Sequence, residues 1–221
     1  MKRLALLLMV TSATACTRPS MLVHRPEDPK VDEGVTTMWT GEIGKVARDG
    51  DWILTRSYYV VGDAISTFTP GEDLSHASIY DAKQGTVIEA VSEGIREIPL
   101  SQLVKRNHYV IVVRPSNMTA ADQSGALARA RTKLGGKFDA SGMFGLDHDD
   151  AYYCSELVYW ASQTEARSGK RERIITPANL MKYGEVIYWS GKRDDAQVMS
   201  LASVSQDSVR GPSVAGSTQR R

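Results

Sequence analysis

A thiol and an imidazole give this chain the side chains of a cysteine nucleophile and its general base. The thiol belongs to Cys154, in the run Tyr153-Cys154-Ser155-Glu156-Leu157, and the imidazole belongs to His76. Apolar spacing after Cys154 predicts that it lies in the first turn of an amphipathic helix, where backbone N–H groups lower a thiol pKa and stabilise an oxyanion. Each residue alone has a simpler interpretation, because a helical cysteine is often just buried and a strand histidine just packed. Together they indicate covalent catalysis.

The segment around His76 predicts a β-hairpin that supplies a third polar group. Two β-rich runs are joined by the polar link Ala82-Lys83-Gln84-Gly85, which ends on a glycine suited to a turn. With this link as the loop, Ser78 pairs with Glu89, and Glu89 then lies diagonal to His76 on one face. Such diagonal neighbours are about 7–8 Å apart by their backbones, within reach of two long side chains. Cys154, His76 and Glu89 are therefore the predicted nucleophile, base and orienting group.

The other regular patterns place this hairpin in an α+β domain. The apolar patterns predict strands at 52–55, 77–81, 86–91, 109–114 and 186–189. They also predict a short helix within 99–105, a helix capped by Thr119, and a helix that begins at Thr176-Pro177. Segment 57–68 fits either a helix or a loop, and His108 is expected at an exposed strand end without a role. Clustered strands with helices before and after them indicate an antiparallel sheet packed against helices.

The first residues have the pattern of an export signal. Two basic residues precede the apolar run 4–10, and small residues lead to Cys16. We interpret residues 1–15 as a bacterial lipoprotein signal and Cys16 as the lipidated residue, which leaves Cys154 without a disulfide partner. The simpler alternative is a secretory signal cut near Ala15. Thr17 after the cysteine favours sorting to the periplasmic face of the outer membrane.

Composition divides the rest of the chain and limits its partners. Residues 16–44, rich in proline and charge, are predicted to be a flexible tether, 45–193 the domain, and 194–221 a disordered tail. A formal net charge of +1 and the lack of a basic stripe make nucleic acid an unlikely class of partner, so none is expected. The polar run 147–150 is interpreted as a solvated loop, and neither a metal nor a cofactor is expected.

Several runs together resemble a known family. They are Gly50-Asp51-Trp52-Ile53-Leu54, Ser75-His76-Ala77-Ser78-Ile79-Tyr80, Val87-Ile88-Glu89-Ala90, Arg114-Pro115 and Tyr153-Cys154-Ser155-Glu156-Leu157-Val158. Their order resembles the circularly permuted papain-like hydrolases of the YiiX and YaeF type, relatives of NlpC-type cell-wall peptidases and of lecithin:retinol acyltransferase. In unpermuted relatives the cysteine helix precedes the histidine strand, whereas here His76 comes first, as in the permuted branch.

The resemblance implies a fold and roles for individual residues. It implies an antiparallel sheet or half-barrel packed against helices, with Cys154 as nucleophile at a helix N-terminus, His76 as base and Glu89 as the third polar residue. It also implies that Ser155 and Tyr153 lie at the substrate cleft, although many cell-wall relatives have Asp where this chain has Tyr153.

These observations lead us to expect a lipid-anchored cysteine hydrolase of the bacterial cell envelope. It would cleave an amide or related acyl bond through a thioacyl intermediate, with a peptide, a peptidoglycan fragment or an acyl lipid as substrate. Two alternatives remain open at this point. The first is an acyltransferase or lipid hydrolase like lecithin:retinol acyltransferase, and the second is a binding lipoprotein without turnover.

Overall fold

A six-stranded antiparallel sheet forms the centre of the molecule, in the order β4-β3-β2-β1-β5-β8. The computed structural model describes residues 25–58, 73–146 and 148–209. The sheet strands are β1 (Trp52–Ser57), β2 (His76–Asp81), β3 (Thr86–Val91), β4 (Gly94–Pro99), β5 (Asn107–Pro115) and β8 (Gly184–Trp189), while β6 (Lys137–Phe138) and β7 (Ala151–Tyr152) form a short parallel pair. The helices are α1 (Pro29–Val46), α2 (Leu100–Lys105), α3 (Ala120–Arg131), α4 (Cys154–Ala161), α5 (Thr164–Ser168), α6 (Pro177–Leu180) and α7 (Ala196–Val209), with single 3₁₀ turns at Gly142–Phe144 and Met181–Tyr183.

Helices cover both faces of this sheet. Because strand side chains alternate between faces, Trp52 and Leu54 of β1 pack in one hydrophobic cluster with α3, α4 and α6, whereas Ile53 packs with α1 and α2. Burying each large apolar side chain contributes about 1.5–3 kcal/mol to the free energy of folding. The predicted α+β class with an antiparallel sheet is confirmed.

The predicted hairpin is present with its predicted register. Strands β2 and β3 pair antiparallel, with Asp81 opposite Thr86 and Ser78 opposite Glu89. In the link between them, Gly85 has φ +65, the left-handed region that glycine adopts most readily. The Asp81 carboxylate accepts hydrogen bonds from the N–H groups of Lys83 and Gln84 in this link, which fixes the turn.

The predicted tether is wrong for residues 29–44, which belong to helix α1. Asp28 caps this helix by accepting from the N–H of Lys30, and Val35, Trp39 and Ile43 are fully buried against the sheet. These apolar residues recur every four positions, so they lie along one helix face. Their burial outweighs the charged, proline-containing composition that led to the wrong prediction.

The predicted disordered tail is wrong for residues 196–209, which form helix α7. Ala202 of α7 is fully buried in the cluster that contains α1. Shortly before α7, the buried guanidinium of Arg193 donates to two residues of α1, the Asp32 carboxylate at 3.0 Å and the Thr36 hydroxyl at 3.0 Å. A buried guanidinium with carboxylate and hydroxyl partners fixes the chain on α1 immediately before the predicted tail begins.

Other expectations fall partly outside the described residues. The signal, Cys16 and residues 59–68 lie there, and no helix within the described ranges has the length and apolarity to cross a bilayer. Helix α3 begins after the predicted Thr119 cap and ends at Arg131. His108, expected at an exposed strand end, is buried with 3% of its surface accessible.

Candidate active site

Helix α4 begins at Cys154, as predicted. Tyr153 occupies the N-cap position, and its backbone N–H donates to the Glu156 carboxylate at 3.2 Å. Leu157 and Val158 are fully buried and anchor the helix on the sheet. Cys154 is 6% exposed, so the thiol lies just beneath the surface.

His76 lies between the thiol and a carboxylate. It is the first residue of β2, its side chain is 13% exposed, and its Nε2 is 2.8 Å from Glu89 Oε2. Since Nε2 is bound to Glu89, the other ring nitrogen, Nδ1, is the one left for Cys154. Burial acts to lower the His76 pKa, but hydrogen bonds with Cys154 and Glu89 outweigh it and raise that pKa to about 9.

The thiol of Cys154 has a pKa below its ordinary value. Burial acts to raise this pKa, but the hydrogen bond and positive charge of His76 oppose it, together with the backbone N–H groups of Ala77 and Ser155. These partners favour the sulfur as a thiolate, which is the nucleophilic form of cysteine. The pair therefore has the electrostatics of a thiolate next to an imidazolium.

Glu89 is a fully buried carboxylate with three cationic donors. His76 and Arg106 contact its Oε2, and Arg96 donates to its Oε1 at 3.0 Å. Burial acts to raise the Glu89 pKa, but His76 and Arg106 outweigh it and hold that pKa at about 2. Glu89 is thus ionised across the range in which His76 titrates.

The two arginines are residues that the sequence analysis missed. Arg96 lies directly opposite Glu89 in the β3–β4 hairpin, so extending the strand register by one more hairpin would have found it. Arg106 follows the last residue of α2 and reaches Glu89 only through the tertiary fold. No local pattern marks its position.

Ser155 and Tyr153 both connect the start of α4 to Ile175. The Ser155 hydroxyl donates to the Ile175 carbonyl at 2.7 Å, and the Tyr153 hydroxyl accepts from the Ile175 N–H at 2.9 Å. Ser155 is 1% exposed, whereas the Tyr153 side chain lines a pocket of about 420 Å³ beside α4. Their role at a substrate cleft stays a prediction, and these contacts show that both also fix the cysteine helix.

The loop before α4 is ordered by Asp139. Its carboxylate accepts from the backbone N–H groups of Ser141, Gly142 and His148. Of the polar run interpreted as a solvated loop, His148 is largely exposed and Asp150 pairs with Lys133 at 2.8 Å. These hydrogen bonds therefore order the chain that leads into Cys154.

Two other runs that carry the resemblance meet in a buried ion pair. Asp51 is fully buried, and its carboxylate accepts from Arg114 at 2.8 Å and from Gln123 at 2.8 Å. This pair lies at the end of β1 opposite to the end where Thr55 pairs with His76. Asp51 and Arg114 hold the sheet together and do not contact the thiol.

A family model described as "Permuted papain-like amidase enzyme, YaeF/YiiX, C92 family" matches residues 46–193, more than half of the chain. The chain belongs to this family. As a C92 member it is a papain-like cysteine hydrolase of the amidase class. The match begins at the last residue of α1 and ends before α7, so these two packed helices flank the matched region. Among curated proteins none matches this chain significantly.

Proposed function

We propose that Cys154, His76 and Glu89 form the catalytic triad of an amide hydrolase. The observation that carries the proposal is the hydrogen-bonded chain from the Cys154 thiol through the His76 ring to the Glu89 carboxylate. A triad needs a nucleophile, a base within hydrogen-bond reach, and a group that orients the base. This chain of contacts supplies those functions in that order.

In the first half of the proposed reaction, the Cys154 thiolate attacks the carbonyl carbon of the amide. Negative charge then develops on the carbonyl oxygen, and backbone N–H groups at the start of α4 are suited to stabilise it. The His76 imidazolium donates its proton to the leaving nitrogen as the C–N bond breaks. An amine leaves, and the acyl group stays on Cys154 as a thioester.

In the second half, water releases the acyl group. Neutral His76 accepts a proton from water while the water oxygen attacks the thioester carbonyl carbon. The C–S bond breaks, a carboxylic acid leaves, and the thiolate–imidazolium pair is restored. Throughout both halves, Glu89 holds Nε2 of the ring, so that Nδ1 keeps facing the sulfur.

We further propose that the enzyme acts at the bacterial envelope, anchored by acyl chains on Cys16, with a peptide amide such as a peptidoglycan fragment as substrate. The signal-like start of the chain supports the anchor. The pocket beside α4 supports a peptide, because its lining mixes aromatic side chains (Tyr152, Trp160) with charged ones (Glu156, Arg171). A purely aliphatic chain would cover those charged groups without offering them hydrogen bonds.

Trapping the thioacyl enzyme tests the chemistry. The mature protein is incubated with peptidoglycan fragments and, separately, with phospholipids, and mass spectrometry follows both the acyl adduct on Cys154 and the products. We expect new peptide termini and an adduct that Cys154→Ala lacks while its circular dichroism is unchanged. Acyl chains moved to an amine or alcohol would instead establish an acyltransferase, and turnover by Cys154→Ala would refute the proposed nucleophile.

Membrane anchoring is tested separately. With Cys16→Ser, we expect the protein to leave the membrane fraction and to lose incorporation of labelled fatty acid. Equal membrane retention and labelling in both forms would refute the anchor without affecting the proposed chemistry.

A further inference from the structure

The Glu89 carboxylate binds two guanidinium groups in addition to the His76 ring. Arg96 donates to Oε1 from the neighbouring strand β4, and Arg106 donates to Oε2 from the end of α2. We propose that these two arginines, the guanidinium clamp, are positioning residues that hold Glu89 charged and fixed against His76, and so set the reactivity of Cys154. This inference rests on the proposed function and adds two residues to its machinery.

The first step of the argument concerns charge. Glu89 is fully buried, and a buried carboxylate without cationic partners takes up a proton. His76 is a conditional partner because its ring is neutral whenever it has given up its proton during turnover. A guanidinium stays protonated at every relevant pH. The clamp therefore keeps Glu89 ionised through both protonation states of His76.

The second step concerns orientation. A carboxylate held on one oxygen can turn about its last side-chain bond, whereas one held on both oxygens cannot. Arg96 occupies Oε1, while Arg106 and His76 share Oε2. The shared oxygen thus stays directed at Nε2 of His76, and Nδ1 stays directed at the thiol. The two arginines of the clamp therefore act on His76 only through Glu89.

The groups that act on Glu89 come from several elements of the described ranges. They are His76 on β2, Arg96 on β4 and Arg106 after α2, with Cys154 of α4 beyond His76. Glu93, in the turn between β3 and β4, is exposed and feels the charges of Arg96 and Glu89. Its solvent exposure screens it, so the two arginines dominate the charge around Glu89.

A matched ion pair elsewhere in the sheet provides the control. Arg131 of α3 contacts the buried carboxylate of Asp81, and donates to Glu97 at 2.9 Å. Asp81 lies at the end of β2 opposite to His76. Arg131→Met therefore removes a guanidinium from a buried carboxylate of the same sheet without touching Glu89.

The experiment measures the alkylation rate of Cys154 by iodoacetamide as a function of pH, because only the thiolate reacts. It uses the mature full chain carrying Cys16→Ser, so that Cys154 is the remaining cysteine. Into this protein we introduce, one at a time, Arg106→Met, Arg106→Lys, Arg96→Met and Arg131→Met. At about pH 6 we expect Arg106→Met to react about tenfold more slowly, the scale of one charge-assisted hydrogen bond. Arg106→Lys, which keeps the charge, should recover part of the rate.

We expect Arg131→Met to lower the melting temperature and leave the pH profile unchanged. If Arg106→Met does not fold, Arg106→Lys and the more exposed Arg96→Met decide the question with smaller shifts in the same direction. Unchanged profiles in the folded clamp variants, or an equal shift in Arg131→Met, would overturn the clamp. A parent protein whose Cys154 reacts no faster than an ordinary thiol at that pH would instead refute the proposed nucleophile.

Discussion

Replacing Glu89 with Gln tests the charge relationship at the centre of the proposed triad. Gln keeps the size of the side chain and its oxygen acceptor but removes the negative charge. In the parent protein, hydrogen bonds with Cys154 and Glu89 raise the His76 pKa to about 9. We therefore expect Glu89→Gln to lower the His76 pKa, to shrink the imidazolium population at neutral pH, and to slow acylation of Cys154.

The size of the effect follows from the contact that is lost. A hydrogen bond between charged groups contributes about 1.5–3 kcal/mol, which corresponds to a fall of about one to two units in the His76 pKa. Because Cys154 depends on the imidazolium as its partner, the second-order rate at about pH 9 should fall by about five- to fiftyfold. At neutral pH it should fall by no more than about twofold, since the imidazolium is then still at least about half populated.

Nuclear magnetic resonance of ring-labelled histidine, followed across pH, reads the His76 pKa directly, and steady-state kinetics read the rate. Glu97→Gln is the matched control, because Glu97 is a partly buried carboxylate of the neighbouring strand β4 that, like Glu89, has an arginine partner, Arg131. A His76 pKa that is the same in Glu89→Gln and the parent protein would refute the reasoning. A loss of rate of the same size in Glu97→Gln would show that the effect is not specific to the triad.

The same substitution has a defined effect on acid stability. The Glu89 pKa is lowered from 4.5 to about 2 by folding, so its ionisation stabilises the native state above pH 4.5 and this contribution is lost as pH falls toward 2. Glu89→Gln should lack that part of the acid dependence in chemical unfolding curves measured over this range. Parallel curves for the two proteins would contradict the lowered pKa.

Three further predictions concern other parts of the molecule. Cys154→Ala should lower the His76 pKa from about 9, because the thiol is one of its two stabilising partners, and histidine resonances would show no shift if the contact were absent. Tyr153→Phe removes the acceptor of the buried Ile175 N–H and should lower the free energy of unfolding in urea by about 1–3 kcal/mol. An unchanged free energy of unfolding would contradict this role of the hydroxyl. Trp39→Ala should cost about 3–5 kcal/mol, whereas Leu201→Ala on the exposed side of α7 should cost less than about 0.5 kcal/mol, and equal costs would mean that α1 is not part of the core.

Sequence reasoning succeeded where local rules operate. The hairpin register follows from strand alternation and a four-residue link that ends in Gly85, and it places Glu89 diagonal to His76. The start of α4 at Cys154 followed from helical spacing in one continuous run. In each case the decisive contacts lie within a short stretch of chain, so residue order alone was sufficient.

Prediction from the sequence failed where segments that are distant along the chain bury each other. Residues 29–44 have the composition of a tether, but Trp39 on α1 is fully buried against the sheet, and α7 packs in the same hydrophobic cluster. His108 was expected at an exposed end, yet neighbouring segments bury it. Composition describes the average solvation of a segment and does not count the apolar side chains that a partner surface can cover.

The sequence by itself therefore determined which residues we propose as nucleophile, base and neighbour of the base, because types and spacing along a strand and a helix specify them. Only the tertiary structure decided how the buried Glu89 carries its charge. Arg106 comes from beyond β4 and α2, and its approach to Glu89 depends on how α2 packs against the sheet. A buried charge needs partners in space, and their position is a property of the packed fold.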